Sequence, residues 1–352
     1  RALKDDADCG GAGFSKVIVP LSKNGYMCVH NVADAFPSTA EALKQAHPAA
    51  ASKGPATAPV RCYGDGTTGA RVQMIYGYYD GTVNRSKQIV AQIRTQMAPR
   101  MQAVIKNQSL GRDLGMRFLF TKGCKAIDVL VVKFPRSVQG SNPKDVGGQL
   151  GRAANVLHAM GYNRSDRKYH ILWDGWTNGG ACGVGFLYNG GFTSLPYSPT
   201  NQGLPTVGAR TDPDPTKSGI GSILTSSYSL TWGHVGSPNG PSCFGRGMST
   251  ITVQLHEILH TLGAVQNDAP NADRGHCRDA PSVMCSGGAE GYGLGTQIKS
   301  CSRVMVETLD CGMDDYWSPN PILSEYLGTH YNVARSPFFG PQPQDNLAPS
   351  PV

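Results

Sequence analysis

Five consecutive residues, His256-Glu257-Ile258-Leu259-His260, carry the strongest chemical signal in the chain. On a helix, residues four apart lie one turn apart on the same face, so His256 and His260 can point two imidazoles at one metal ion. Glu257 comes next after the first of them and can reach a water on that ion. Two imidazole ligands with a carboxylate that takes a proton from water form the working set of a zinc hydrolase. The plainer alternative is a core helix whose two histidines are merely hydrogen-bonded. Val253, Leu255, Ile258, Leu259 and Leu262 make the helix a buried one under either reading.

The residues beyond the pair favour metal chemistry. Gly263 stands three residues after His260, where a chain can leave a helix through a left-handed cap. Further on, Ser282-Val283-Met284-Cys285 reads as a short turn carrying a methionine.

With these residues the stretch resembles the metzincin clan of zinc endopeptidases, whose pattern is H-E-x-x-H-x-x-G-x-x-H (or D) and then a Met-containing turn. His256, Glu257, His260, Gly263 and Met284 match, and Gln266 stands where the third ligand belongs. A neutral amide is a poor zinc ligand beside imidazole or carboxylate. His276, in Gly275-His276-Cys277, is the first candidate to fill that place, Asp268 the second and Gln266 the third. A second departure is Ser286, two residues after the Met, where several metzincins carry a Tyr. A tyrosine for oxyanion stabilisation would have to come from elsewhere, with Tyr292, Tyr316 and Tyr331 as candidates. The resemblance is specific over about thirty residues and implies an α+β zincin-like fold: a mixed twisted sheet, a long helix, the zinc helix and an irregular C-terminal subdomain. It implies a catalytic Zn2+, Glu257 as general base, and a protein or peptide substrate lying extended along an edge strand.

The elements that must position these residues can be read in outline. Arg71 to Tyr79 reads as a strand, Asn84 to Gln108 as a long amphipathic helix kinked at Pro99, and Met116 to Thr121 and Ile127 to Phe134 as strands. Ile127 to Phe134 is apolar on both faces for most of its length, which predicts a central position. Val146 to Met160 is a further helix. Lys168 to Asp174 is a strand, Gly183 to Tyr188 a short edge strand, and Leu195 to Gly221 a long loop. Ser227 to Trp232 is the last strand before the metal helix, which begins near Ser249. A short late helix spans Pro321 to His330.

These elements divide the chain into residues 1–60, an extension or linker with a strand at Ser15 to Leu21, 61–335, the catalytic domain divided near 263, and 336–352, a mobile tail. The opening RALKDDADCGG reads as a mature N-terminus left after processing.

Composition bounds the rest. In 352 residues there are 44 Gly and 24 Pro and only 16% charged residues, which suits a loop-rich globular protein. There is no apolar run of membrane-spanning length, and the net charge of +7 is scattered without a nucleic-acid-binding motif. The expected partner is therefore a protein or peptide substrate, with no nucleic acid and no membrane span, and the chain is expected to be a monomer. Ten Cys with no C-x-x-C point to disulfides and to a secreted protein. Pairing of sequence neighbours gives Cys9–Cys28, Cys62–Cys124, Cys182–Cys243, Cys277–Cys285 and Cys301–Cys311. Asp310, Asp314 and Asp315 cluster as a possible Ca2+ site, though not with EF-hand spacing. His170, His234, Trp173 and Trp176 read as structural, and His330 with Tyr331 as groups that could return over the cleft.

Two rival functions remain at this level. One is a zinc hydrolase acting on cell-wall peptides, and the other is a non-catalytic secreted binding protein on the same scaffold. The cysteine pattern makes a direct prediction: alkylation of the native protein labels none of the ten cysteines, and labels all of them after reduction, as read by mass spectrometry.

Overall fold

The computed structural model describes residues 58–142, 144–178, 182–186, 227–240, 243–244, 248–266, 268–273, 275–278, 282–284, 308–320, 324–330 and 332–342, together with two strands near the N-terminus. Those two, β1 (Phe14–Ile18) and β2 (Tyr26–His30), form an antiparallel hairpin where the sequence led us to expect one strand in an irregular extension. The long loop at 195–221 lies outside the described residues, as does the linker before residue 58.

The centre is a five-stranded sheet built from β3 (Arg71–Tyr79), β5 (Val129–Phe134), β6 (Arg167–Thr177), β7 (Gly183–Gly185) and β8 (Tyr228–Val235), in the order β5-β3-β6-β8-β7. Four strands are parallel, and β7 runs antiparallel to β8 at one edge. Parallel strands need crossovers long enough to hold a helix. The first crossover carries α1 (Ser86–Gln92) and α2 (Ala98–Asn107), and the second carries α3 (Val146–Ala159). The architecture is a mixed α/β layer arrangement, which agrees with the α+β expectation in its broad form.

Alternation along the strands decides which helix lies where. Val72, Met74 and Tyr76 of β3 pack with Ile89, Ile93, Met97, Met101 and Ile105 on one face. Ile75 and Tyr79 turn to the other face, with Leu150, Ala153 and Leu157 of α3. Asp145 begins α3 as an N-cap, its carboxylate accepting from Gly148 N–H at 3.0 Å.

Three sequence expectations need correction. Val129–Phe134 is an edge strand, not a central one; Val131 is 42% exposed, and Lys133 pairs with Asp80 at the surface. A lysine on an open strand edge is a usual guard against edge-to-edge pairing. The central place goes to β6, which the sequence disguises with Lys168, His170 and Asp174. All three are buried, and each is hydrogen-bonded: Lys168 Nζ to Thr261 O, His170 between Ser229 and Thr231, Asp174 to Tyr76 and Arg85.

The second correction concerns the long helix. It is not one continuous α-helix: a π-helical turn, Ile93–Met97, interrupts it just before Pro99, with Ala98 N–H bonded to Ile93 O. Pro99 has no N–H to offer the carbonyl one turn earlier, and the wider turn absorbs the mismatch. Of the strand expected at 116–121, only β4 (Gly115–Met116) and two isolated bridges form.

The third concerns the tail. Residues 336–342 are packed rather than mobile. Phe338 and Phe339 are buried, β11 (Phe339–Gly340) pairs with β4, and the Phe339 ring meets Trp317 edge-on at 4.9 Å. Two adjacent aromatics bury too much apolar area to remain in water. Residues 343–352 are outside the described residues.

The disulfides Cys62–Cys124 and Cys182–Cys243 are present as the neighbour pairing anticipates. Cys277 and Cys311 are also disulfide-bonded. Their bonds and the expected Cys9–Cys28 pair involve cysteines outside the described residues.

His170 makes the interior sensitive to acid. Burial pushes its pKa down to about 3, so between pH 3 and 6.5 the unfolded chain binds a proton that the folded chain refuses. Its contribution is fully present above pH 6.5 and is withdrawn as pH falls through that window. In guanidinium titrations between pH 4 and 6, His170→Asn should lower the slope of stability against pH by up to about 1.4 kcal/mol per pH unit.

Candidate metal centre

The helix α4 (Met248–Thr261) carries the His-Glu-x-x-His run. Leu255, Ile258, Leu259 and Leu262 face the core beside α2, and Glu257 and His260 lie against β7. The helix ends in a Schellman cap. Ala264 N–H bonds to Leu259 O and Gly263 N–H to His260 O, with Gly263 at φ 85°. The left-handed exit read from Gly263 is thus formed, and it turns the chain back towards the histidines.

The return path holds the third imidazole. β9 (Ala272–Asp273) and β10 (His276–Cys277) pair antiparallel through a tight turn in which Gly275 has φ 78°. Cys277 N–H then bonds to Met284 O at 3.0 Å, fixing β10 against the methionine turn. His276 Nε2 lies 3.2 Å from His256 Nε2, and His260 Nε2 lies 3.0 Å from it. The three side chains offer ligand atoms all within 4.8 Å of one another and could hold a metal ion.

The donor chemistry fits such an ion. Val283 O accepts from His256 Nδ1–H at 2.7 Å, which leaves the Nε2 lone pair aimed at the cluster. Burial lowers the pKa of His256 to about 4, so its neutral form prevails at neutral pH. Nitrogens bound tetrahedrally at ~2.0–2.1 Å from zinc stand about 3.3–3.4 Å from each other, close to the separations from His256. Met284 is fully buried beside this turn.

Glu257 is 3% exposed, and burial raises its pKa well above the ordinary carboxyl value. Its Oε2 has no hydrogen-bond partner among the described residues. Two glycines of β7 make room for it, and sequence reasoning passed over both. A Cβ on Gly183 would stand 2.6 Å from Glu257 Cγ, and one on Gly185 would stand 2.6 Å from Glu257 O. Their spacing of two residues puts them on one face of the strand, a signal that something bulky must press there.

The other candidates sit elsewhere. Gln266 is buried with Nε2 donating to Gly263 O at 2.6 Å, so its amide serves the helix exit. Asp268 is exposed, accepts from Tyr326 Oη at 2.6 Å and faces His330 at 3.6 Å. Asp268 does not belong to the three-histidine group. His330 is thereby engaged with Asp268, Tyr316 is buried with its hydroxyl donating to Leu309 O, and Tyr292 and Tyr331 lie outside the described residues. His234 contacts Arg85 and Gly240 O, and Trp173 is core, stacked on Tyr79 at 5.5 Å.

Asp310, Asp314 and Asp315 do gather within 4.8 Å. Asp310 Oδ2 accepts from the N–H groups of Asp315, Tyr316 and Trp317, and Asp315 accepts from Asn271. Burial and the neighbouring Asp315 push Asp310 up to about 7. These bonds make Asp310 the cap of a tight turn that ties 310–317 to the segment before His276.

No protein-family model matches the chain, and no curated protein matches it either.

The glycine packing can be tested. Gly185→Ala forces its methyl against the Glu257 carbonyl and His260 Cβ, and should cost about 1–3 kcal/mol. Thermal unfolding reads this out, and an unchanged Tm would mean that β7 does not press on α4.

Proposed function

We propose that the chain is a secreted zinc-dependent endopeptidase with a metzincin-like arrangement of sheet, metal helix and methionine turn. The observation that carries the reading is the convergence of three imidazoles, His256, His260 and His276, beside the buried carboxyl of Glu257. The disulfides agree with an oxidising compartment, and among the described residues no helix is long and apolar enough to cross a membrane.

His256, His260 and His276 hold the ion in this reading, with Val283 O orienting the first of them. A zinc ion held there would supply Lewis acidity, acidifying water and polarising the scissile carbonyl. Glu257 would accept the water proton on its carboxylate and return it to the leaving amine. Burial keeps this carboxylate poorly solvated and raises its pKa, which makes it basic enough for the transfer. A peptide lies extended beside β7, the antiparallel edge strand, whose glycine face is already committed to Glu257.

Substitutions separate the roles. Glu257→Ala should keep stoichiometric zinc by elemental analysis while casein hydrolysis falls ~10²–10⁴-fold. His276→Ala should lose zinc and activity together, whereas Gln266→Ala should retain the metal. Retention of zinc by His276→Ala with its loss from Asp268→Ala would overturn the ligand set. Full activity in Glu257→Ala would overturn the mechanism.

A further inference from the structure

Gln254 lies one turn before Glu257 on α4 and is completely buried. Neither its Oε1 nor its Nε2 has a hydrogen-bond partner among the described residues. An amide left so in the interior is costly, and native proteins rarely keep one. Glu257 Oε2, on the same helix, is likewise without a partner among them. Residues at i and i+3 have Cβ atoms about 5–6 Å apart, too far for the backbone to bridge but right for a small polar molecule between the side-chain ends.

The opposite wall is polar as well. Gly183 and Gly185 press on Glu257, and across the ladder they pair with Thr231 and Ser229. Cross-strand partners share a face, so these two hydroxyls point towards α4. Both are buried, and both hydrogen-bond His170, Ser229 at Nδ1 (2.8 Å) and Thr231 at Nε2 (3.2 Å). Burial keeps His170 neutral, with one ring N–H and one lone pair, so one hydroxyl donates to it and the other accepts from it. The accepting hydroxyl retains its own proton for a further partner.

We propose that Gln254 is a positioning residue for Glu257, acting through an ordered internal water that its amide holds between the metal helix and the Thr231–His170–Ser229 cluster. The inference rests on the reading of Glu257 as the general base. A buried water needs two to four polar partners, and Gln254, Glu257 and the strand hydroxyls supply them. The amide can donate through Nε2 and accept at Oε1, so it orients that water to donate to Glu257. The carboxylate is then held at one of its oxygens while the other remains for the proton transfer.

The test uses Gln254→Met, which keeps volume and removes hydrogen bonding. A high-resolution crystal structure of the zinc-loaded wild type should show water density within hydrogen-bond distance of both Gln254 and Glu257, and the variant should lack it. Zinc content should be unchanged. kcat on a peptide substrate should fall about tenfold with KM unchanged, the pattern of an interaction made in the transition state. Absence of that water from the wild type, or a Gln254→Met enzyme with wild-type kcat, overturns the proposal. The crystallographic arm does not depend on activity, so failure of the peptidase reading would be seen separately, in Glu257→Ala.

Discussion

One hydrogen bond, from His256 Nδ1–H to the carbonyl of Val283, organises the three-histidine cluster. It sets the tautomer of the first imidazole and fixes the methionine turn to the helix. The same turn receives Cys277 N–H at Met284 O, so the strand bearing His276 is tied to the element that orients His256. The Nε2 atoms of His260 and His276 thereby stand 3.0 Å and 3.2 Å from that of His256. Imidazoles so close are stable when a cation sits among them, because their lone pairs otherwise repel.

The sheet explains why the helix lies where it does. A parallel sheet with helices on both faces must be covered on each, and α4 shares one face with α1 and α2. That face is not wholly apolar. Lys168 and His170 of β6, Ser229 and Thr231 of β8 and Gln254 of α4 are buried, and Lys168 Nζ donates to Thr261 O at the end of α4. Burial depresses Lys168 to about 7, and the exposed carbonyl end of a helix is where a cation is best accommodated. Replacing these groups with aliphatic ones would make a simpler core. Lys168, His170, Ser229 and Thr231 are instead hydrogen-bonded to one another or to the end of α4, which makes their burial tolerable.

On the other side of the site, Asp310 and Asp315 brace the returning chain. Asp315 accepts both from the backbone and from the side chain of Asn271, one residue before the β9–β10 hairpin. Gln108, at the end of α2, exchanges two hydrogen bonds with the backbone of Asp310. The long helix, the acidic turn and the His276 hairpin are thus linked by bonds that are all buried, which limits how far His276 can drift from the helix.

The sequence by itself determined the elements whose signals are local. The strand Arg71–Tyr79, the helix Val146–Ala159, the edge strand at Gly183 and the left-handed exit at Gly263 all come from periodicity, capping and glycine, which act over a few residues. The His-Glu-x-x-His face is set by helical spacing alone, and His276 could be favoured over Gln266 and Asp268 on ligand chemistry. Tertiary structure decided what depends on partners distant in the chain. It put Val129–Phe134 at an edge and the polar-looking Arg167–Thr177 in the middle, because Thr261, Ser229 and Thr231 satisfy groups that would otherwise bar burial. It folded Phe338 and Phe339 into the core against Trp317, and it used Gly183 and Gly185 to admit Glu257. No local pattern encodes these outcomes, since each is set by the complementary shape or hydrogen bond that another segment brings.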